Sequence, residues 1–234
     1  GGATTTAAPT LKGSINVLAA SSLTNAFTAL GKDFESAYPG TKVSFSFGSS
    51  AMLATQIENG APADVFASAD QDNMNKIVKA KDNSGTPQNF AENKLEIAVA
   101  PGNPKHITTL ADLTKPGTVV VLCDPSVPCG KFADQVLANA KVTVTPKSRE
   151  ANVKATLSKV SLGEADAAVV YVSDVKTAGG KVDGVTIPDS VNVLTTLPIV
   201  TLKGSSHSDV ATAWDNYVVA HQQELVSQFG FLPL

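Results

Sequence analysis

The chain has 234 residues, of which 43% are hydrophobic and 17% are charged. This composition is that of a soluble globular protein, and the length is sufficient for one large domain or two compact lobes. The formal net charge of −3 argues against binding to nucleic acid or acidic membranes, and no apolar run approaches the roughly 20 residues of a membrane-spanning helix.

The N-terminal stretch GGATTTAAPT consists of small residues with almost no hydrophobic content. It predicts a flexible tether over residues 1–12, ahead of the folded part. No signal peptide is recognisable, and the start is typical of the trimmed end of an exported protein. Gly1-Gly2 would suit the residues after a lipid-modified cysteine, but that cysteine is not in the sequence, so lipid anchoring stays open.

Apolar strands and helical patterns alternate along the first 70 residues. Strands are predicted over 15–20, 43–47 and 64–69, and the helices between them start near Leu23 and Met52. The spacing of apolar residues is helical in the first helix and alternates in the second strand. This order predicts a parallel sheet with helices on both faces.

A second set of alternating elements follows and predicts a second sheet. Its strands are expected over 95–100, 119–124, 142–144 and 166–172, its helices over 130–140 and 152–162, and the chain then runs extended over 193–202 before one amphipathic helix over 209–229.

Two similar sets of elements predict an α/β protein with two lobes, each a mostly parallel sheet flanked by helices. We expect the last helix to return to the first lobe, which then comprises residues 13–93 and 201–234, while 94–200 form the second lobe. The chain would cross between lobes near 93–101 and 194–203. A cleft between two such lobes is the expected ligand site.

Strand-to-helix junctions are the parts of this chain best suited to bind an anion. Ligands of open α/β sheets bind at the carboxyl ends of strands, where the first N–H groups of a helix lack partners and its dipole is positive. The four junctions carry Ser22, Ser50, Cys129-Gly130 and Asn152-Val153. Each serine taken alone is placed to cap its helix. Together the junctions favour a tetrahedral oxyanion held without Arg or Lys.

Several stretches carry a resemblance to a known family. They are AASSLTNAF at 19–27, GSSAMLATQIENGAPADVFASAD at 48–70, NVKATLSKVSLGEADAAVVYVSD at 152–174 and QFGF at 228–231. Over about 15–231 the chain resembles the periplasmic molybdate-binding proteins of molybdate ABC transporters. The resemblance implies a type II periplasmic-binding-protein fold that closes on a molybdate or tungstate dianion.

The resemblance also implies a set of ligands for the oxyanion, with no side chain bound to the metal atom itself. In the family, two serine hydroxyls, two backbone amides and a tyrosine hydroxyl hold the oxygens. These positions fall on Ser22, Ser50, Cys129, Val153 and Tyr171. The family often has Ala at the third position, where only the N–H is required. Tyr171 lies outside the four junctions, and its alternative role is an aromatic side chain with its hydroxyl in water.

The resemblance implies an extracytoplasmic solute-binding protein that delivers its ligand to the membrane permease of an ABC importer. It implies no catalysis and no cofactor. We expect the chain to act as a monomer without a nucleic-acid partner.

Other functions remain as alternatives. A serine hydrolase would need a nucleophile elbow, and neither G-x-S-x-G nor a phosphate-binding glycine motif is present. Phosphate is disfavoured because it can carry a proton and rewards a carboxylate acceptor, whereas the proposed set consists of donors only. Sulfate has the same charge and shape as molybdate, so the residues alone leave it open. A sensor that binds an oxyanion without transport also stays open.

Cys123 and Cys129 are the two cysteines, separated by Asp-Pro-Ser-Val-Pro. We predict a disulfide between them, because an exported protein meets an oxidising compartment and two prolines favour a turn that brings the Cα atoms together. Its role would be to hold the N–H of Cys129 in place. The alternative is two free thiols in a cytosolic protein.

Overall fold

The fold is described from a computed structural model, and the description covers residues 10–234. The first nine residues of the predicted tether lie outside the described residues. Within residues 10–234, no helix has both the length and the apolar character needed to cross a membrane.

The first part of the chain alternates strands and helices as predicted. Its elements are β1 (Gly13–Ala20), α1 (Thr24–Ala37), β2 (Thr41–Gly48), α2 (Ser50–Glu58), β3 (Val65–Ala67) and α3 (Gln71–Ala80), with a 3-10 turn at Ser21–Leu23 between β1 and α1.

The remaining elements follow from residue 88 to residue 229. They are β4 (Gln88–Val99), a 3-10 turn at Leu110–Thr114, β5 (Val120–Cys123), α4 (Pro128–Asn139), β6 (Ser148–Glu150), α5 (Val153–Ser161), β7 (Ala167–Tyr171), α6 (Val172–Thr177), β8 (Asp183–Thr186), β9 (Leu194–Thr201), α7 (Ser208–Ala220) and α8 (Gln222–Phe229).

The strands join in the order β2-β1-β3-β9-β4-β7-β5-β6, with β8 also paired to β4. β1 is parallel to β2 and β3, and β5 is parallel to β6 and β7. The long strand β4 changes partners midway: residues 88–94 pair with β9, and residues 95–99 pair with β7 and β8. We call the sheet region on the β9 side the first lobe and that on the β7 side the second lobe.

Each lobe has its own apolar core. In the first lobe, Trp214 of α7 is fully buried and meets the rings of Phe27 and Phe34 edge-on, with centroids 5.4 and 5.5 Å apart. The C-terminal helices α7 and α8 therefore contribute to the core of the first lobe. In the second lobe, β5 and β7 are buried along their whole length. These features confirm the α/β fold class.

The pairing of β9 differs from the predicted boundary between the two lobes. β9 pairs with β3 and with the first part of β4, and Leu197 and Ile199 lie in the core that contains Trp214. By its pairing β9 goes with the first lobe, whereas the sequence-based division placed residues up to 200 in the second. An apolar alternating segment does not reveal which of two sheets it joins.

Other elements differ from the prediction. No strand forms over 142–144, where Val142 and Val144 instead pack as loop residues on the second core after Lys141 takes a positive φ of 56°. The predicted helix over 209–229 breaks at His221, whose ψ of 26° leaves helical geometry. The elements α3, β6, α6 and β8 were not predicted.

Candidate functional site

A small cavity lies where the carboxyl ends of strands from both lobes meet. All five sequence-predicted ligand residues line it: Ser22, Ser50, Cys129, Val153 and Tyr171. Ala20, Ser21, Gly48, Ser49, Ala69, Pro128 and Asn152 complete the lining. The first lobe thus contributes the two serines, and the second lobe contributes the other three residues.

Ser22 presents a hydroxyl that has no hydrogen-bond partner among the described residues. Its side chain is buried, and its Oγ makes no hydrogen bond. The sequence-based expectation that Ser22 caps the following helix is wrong, because a 3-10 turn intervenes and α1 begins only at Thr24 without a side-chain cap. Leaving a buried hydroxyl unpaired costs roughly 1–3 kcal/mol, so its position favours an external hydrogen-bond acceptor.

Ser50 is the first residue of α2, and its Oγ accepts a hydrogen bond from the Ala69 N–H at 2.9 Å. The cap of this helix is Ser49, whose Oγ accepts from the Met52 N–H at 3.3 Å, so the prediction that Ser50 is the cap is also wrong. Since Ser50 Oγ already accepts a hydrogen bond, its own hydrogen is available for the cavity.

Two helix N-termini supply backbone amides. Cys129 lies in the first turn of α4 after Val127, and Val153 is the first residue of α5 after Asn152. The Asn152 side chain caps α5 by accepting from the Ala155 N–H at 3.0 Å, which leaves the earliest amides of the helix free of this cap. Amides at these positions have no carbonyl partner within their helix and lie at its positive end.

Tyr171 ends β7 with a ring that is 2% exposed and a hydroxyl that has no hydrogen-bond partner. Burial, followed by the charges of Asp70 and Asp174, raises the pKa of Tyr171 well above its ordinary value. The phenol therefore keeps its proton and can only donate toward a charged ligand. Its hydroxyl lies inside the protein rather than in water, unlike the alternative considered from the sequence.

The cavity offers hydrogen-bond donors but no charge of its own. Among the described residues that line it, none is Lys, Arg, His, Asp or Glu. This chemistry suits an oxyanion that is fully ionised and needs donors on every oxygen. Without a base or a carboxylate in the lining, a nucleophilic serine has no partner to activate it.

Two buried acids near the cavity are each paired with a lysine. Asp70 caps α3 by accepting from the Asn73 N–H, and its other oxygen binds Lys131 Nζ at 2.9 Å. Asp174 is fully buried with its Oδ1 3.2 Å from Lys154 Nζ, in a geometry that leaves that oxygen without a hydrogen bond. Burial raises the pKa of Asp174, and Lys154 opposes this shift.

Lys131 lies in α4 of the second lobe, while Asp70 and Asp72 belong to the first lobe. The Lys131 ammonium contacts both carboxylates, at 2.9 and 2.7 Å. Burial lowers the pKa of Lys131, but its bonds to Asp72 and Asp70 outweigh this effect and raise the pKa overall. This bridge was not predicted from the sequence. Its only signal was that Lys131 follows the junction residue Cys129 by two positions.

A disulfide joins Cys123 to Cys129, with the Cα atoms 5.8 Å apart. Cys123 ends β5, and Cys129 lies in the first turn of α4. Both residues are buried, and Cys129 also lines the cavity.

Comparison with known proteins places this architecture in a family. Residues 15–232 match the family model for the bacterial extracellular solute-binding protein. The chain is 43% identical over 219 residues to the molybdate-binding protein ModA of Mycobacterium tuberculosis, covering 93% of this chain and 84% of that protein.

Two solved structures share the fold. The periplasmic molybdate-binding protein of Azotobacter vinelandii superposes with a TM-score of 0.83 at 21% identity, covering 94% of this chain and 99% of that one. The sulfate-binding protein SubI of Mycobacterium tuberculosis gives a TM-score of 0.81 at 22% identity, covering 94% and 87%. The fold alone therefore does not separate the two oxyanions. On the match over residues 15–232, the chain belongs to the bacterial extracellular solute-binding protein family.

Proposed function

We propose that this chain captures molybdate, and tungstate equally well, outside the cytoplasm and delivers it to the membrane permease of an ABC importer. The observation that carries the proposal is the pair of buried hydroxyls, on Ser22 and Tyr171, that have no hydrogen-bond partner among residues 10–234 and line one cavity. Both hydroxyls need an acceptor, and the cavity lining around them supplies further donors.

The proposed ligands of the oxyanion are the hydroxyls of Ser22, Ser50 and Tyr171 and the N–H groups of Cys129 and Val153. A dianion that is fully deprotonated at neutral pH uses such a donor set completely. A phosphate that carries a proton would bring a donor into a cavity with no carboxylate acceptor, and would lose affinity for that reason.

The choice of molybdate over sulfate draws on sequence similarity. The mycobacterial relative named as a molybdate-binding protein is 43% identical over 93% of this chain, whereas the sulfate-binding structure is 22% identical. Size supplies the physical basis of the choice. Donors fixed on helix ends cannot follow a smaller ion inward, so sulfate would make longer and weaker hydrogen bonds.

Closure of the cleft belongs to the same proposal. The serines lie on the first lobe, and Cys129, Val153 and Tyr171 lie on the second, so neither lobe completes the oxygen shell alone. A ligand that bonds to both lobes has higher affinity for the closed state and shifts the population toward it. The change of β4 partners between residues 94 and 95 gives one place where the lobes can rotate.

Titration calorimetry with molybdate, tungstate, sulfate and phosphate tests the proposal directly. We expect Ser22→Ala and Tyr171→Phe each to weaken molybdate binding by about 1–3 kcal/mol, because each removes one donor to a charged ligand. Neither change should lower the melting temperature of the free protein, since both hydroxyls are unpaired there.

Ser36→Ala is the matched control, because the Ser36 hydroxyl donates to the Lys32 carbonyl on the surface of α1. Its affinity should equal that of the wild type. Unchanged affinity in both Ser22→Ala and Tyr171→Phe, or tighter binding of sulfate than of molybdate, would contradict the proposed ligand.

A further inference from the structure

The disulfide connects the cavity to the strand beneath it. Cys129 contributes to the proposed site only through its backbone N–H, so its side chain is free for another task. That side chain is bonded to Cys123 at the end of β5. The Cys123 carbonyl in turn accepts from the Arg149 guanidinium at 2.9 Å, so this strand end is itself fixed to the strand beside it.

The start of α4 is pressed unusually close to the end of β5. A Cβ added at Gly130 would overlap the Asp124 carbonyl and lie 2.7 Å from the Cys123 carbonyl oxygen. Glycine permits this approach because it has no side chain. The position of the Cys129 N–H is thus set by the disulfide on one side and by the glycine contact on the other.

Thr156 connects the disulfide to the start of α5, where Val153 provides the second proposed amide. Its side chain is fully buried in α5, and its Oγ1 lies 3.1 Å from Cys123 Sγ. A disulfide sulfur carries no hydrogen, and the one hydrogen of the threonine hydroxyl goes to another acceptor, so Oγ1 packs directly against Sγ without a hydrogen bond between them. The same Oγ1 lies 3.0 Å from the Asn152 carbonyl oxygen and donates to it. Asn152 is the residue immediately before Val153, which lines the cavity.

We propose that the Cys123–Cys129 disulfide and Thr156 act as one support that fixes the spacing between the amides of Cys129 and Val153, and thereby sets the affinity for the oxyanion. This inference rests on the proposed function, which assigns those two amides to the ligand. Cys123 and Thr156 are positioning residues, because neither lines the cavity. Supports of this kind change affinity without touching the ligand, since a donor displaced by a few tenths of an ångström bonds more weakly.

The test measures molybdate affinity by calorimetry in five variants of the full chain. The pair change Cys123→Ala/Cys129→Ala removes the covalent link and keeps both amides. Thr156→Val removes the hydroxyl at nearly constant volume and keeps the disulfide. It therefore tests the proposal even where the cysteine variant folds poorly. Thr156→Ser retains the hydroxyl. Thr177→Val is the control, because Thr177 makes a similar bond to the Ser173 carbonyl in α6 of the same lobe.

We expect about tenfold weaker binding both for the cysteine pair variant and for Thr156→Val, with affinity restored by Thr156→Ser and unchanged in Thr177→Val. Adding Thr156→Val to the cysteine pair variant should cost little more, because both changes act on one support. Variants that melt at lower temperature but bind molybdate as tightly as the wild type would overturn the inference, since the disulfide would then only stabilise the fold. If the wild type itself binds no molybdate, the proposed function fails and this inference fails with it.

Discussion

Replacing Lys131 by methionine should weaken molybdate binding without weakening either lobe. From the second lobe, the lysine reaches across the cleft and contacts Asp70 and Asp72 of the first lobe. The Asp70 side chain is only 3% exposed, so removal of the lysine leaves a buried carboxylate with one unpaired oxygen. Opening of the cleft would return that carboxylate to water. The substitution therefore destabilises the closed state relative to the open one, and the ligand favours the closed state.

The magnitude follows from the burial of the two partners. Removing one member of a fully buried ion pair costs about 3–5 kcal/mol, but the Lys131 side chain is 38% exposed, and exposed pairs contribute only about 0–1 kcal/mol. We therefore expect an intermediate loss of about 1–2 kcal/mol, which is roughly a 5- to 30-fold rise in Kd. Calorimetry gives this value, and small-angle scattering should show that the liganded variant is on average more open.

Lys159→Met serves as the control for this prediction. Lys159 binds Glu164 at 2.6 Å within the second lobe, so its loss removes a comparable ion pair that does not cross the cleft. Added salt should weaken binding in the wild type more than in Lys131→Met, because screening acts on the bridge. An unchanged Kd in Lys131→Met, or an equal effect of Lys159→Met, would refute the role of the bridge.

Three further outcomes are expected. Molybdate and tungstate should raise the melting temperature strongly and similarly while sulfate at equal concentration raises it weakly, and equal shifts in differential scanning fluorimetry would contradict selection by size. Burial raises the pKa of Asp215 to about 7. Between about pH 4 and about pH 7 the folded state therefore holds a proton that the unfolded state has released, and the free energy of unfolding falls as the pH rises through this range. Thermal melts across that range should show a smaller loss in Asp215→Asn, and an identical pH profile would exclude Asp215 as the cause. Phe34→Ala should cost about 3–5 kcal/mol in denaturant unfolding because the ring is fully buried against Trp214, with molybdate affinity unchanged; a loss below about 1 kcal/mol would contradict the packing argument.

The local signals in the sequence were sufficient for the elements that surround the cavity. Apolar runs followed by turn residues marked the ends of β1, β2 and β5. The ends of β1 and β2 lie together because these strands are parallel neighbours, and β5 ends on the other side of the cleft in the second lobe. Those signals do not report how the chain bends within a junction. Ser22 lies within the 3-10 turn that precedes α1 and not at the N-cap of the helix, and nothing in the local pattern distinguished that turn from the first turn of the helix.

Features that depend on distant partners could not be read from the sequence. Lys131 and Asp70 are 61 residues apart, and an ion pair over that distance leaves no periodic trace. Val142 and Val144 alternate like a strand, but the edge of the sheet beside β5 is taken by residues 148–150. The short helix α6 follows β7 without a loop. No turn residues therefore mark its start, and its first residue continues the apolar pattern of the strand.

Capture of a dianion by an acidic protein requires that nearby negative charges do not repel the ligand. The chain has a net charge of −3, and Asp70 and Asp174 both lie close enough to Tyr171 to raise its pKa. Lys131 contacts Asp70 and the neighbouring Asp72, and Lys154 contacts Asp174, so two lysines offset two of these three negative charges. The field at the cavity is then left to the helix N-termini of Cys129 and Val153 and to the oriented hydroxyls, which attract an anion by dipoles. The two lysines do not line the cavity and offset the charge of the acids without bonding to the ligand, and the proposed site can therefore recognise an oxyanion through the number and spacing of its donors.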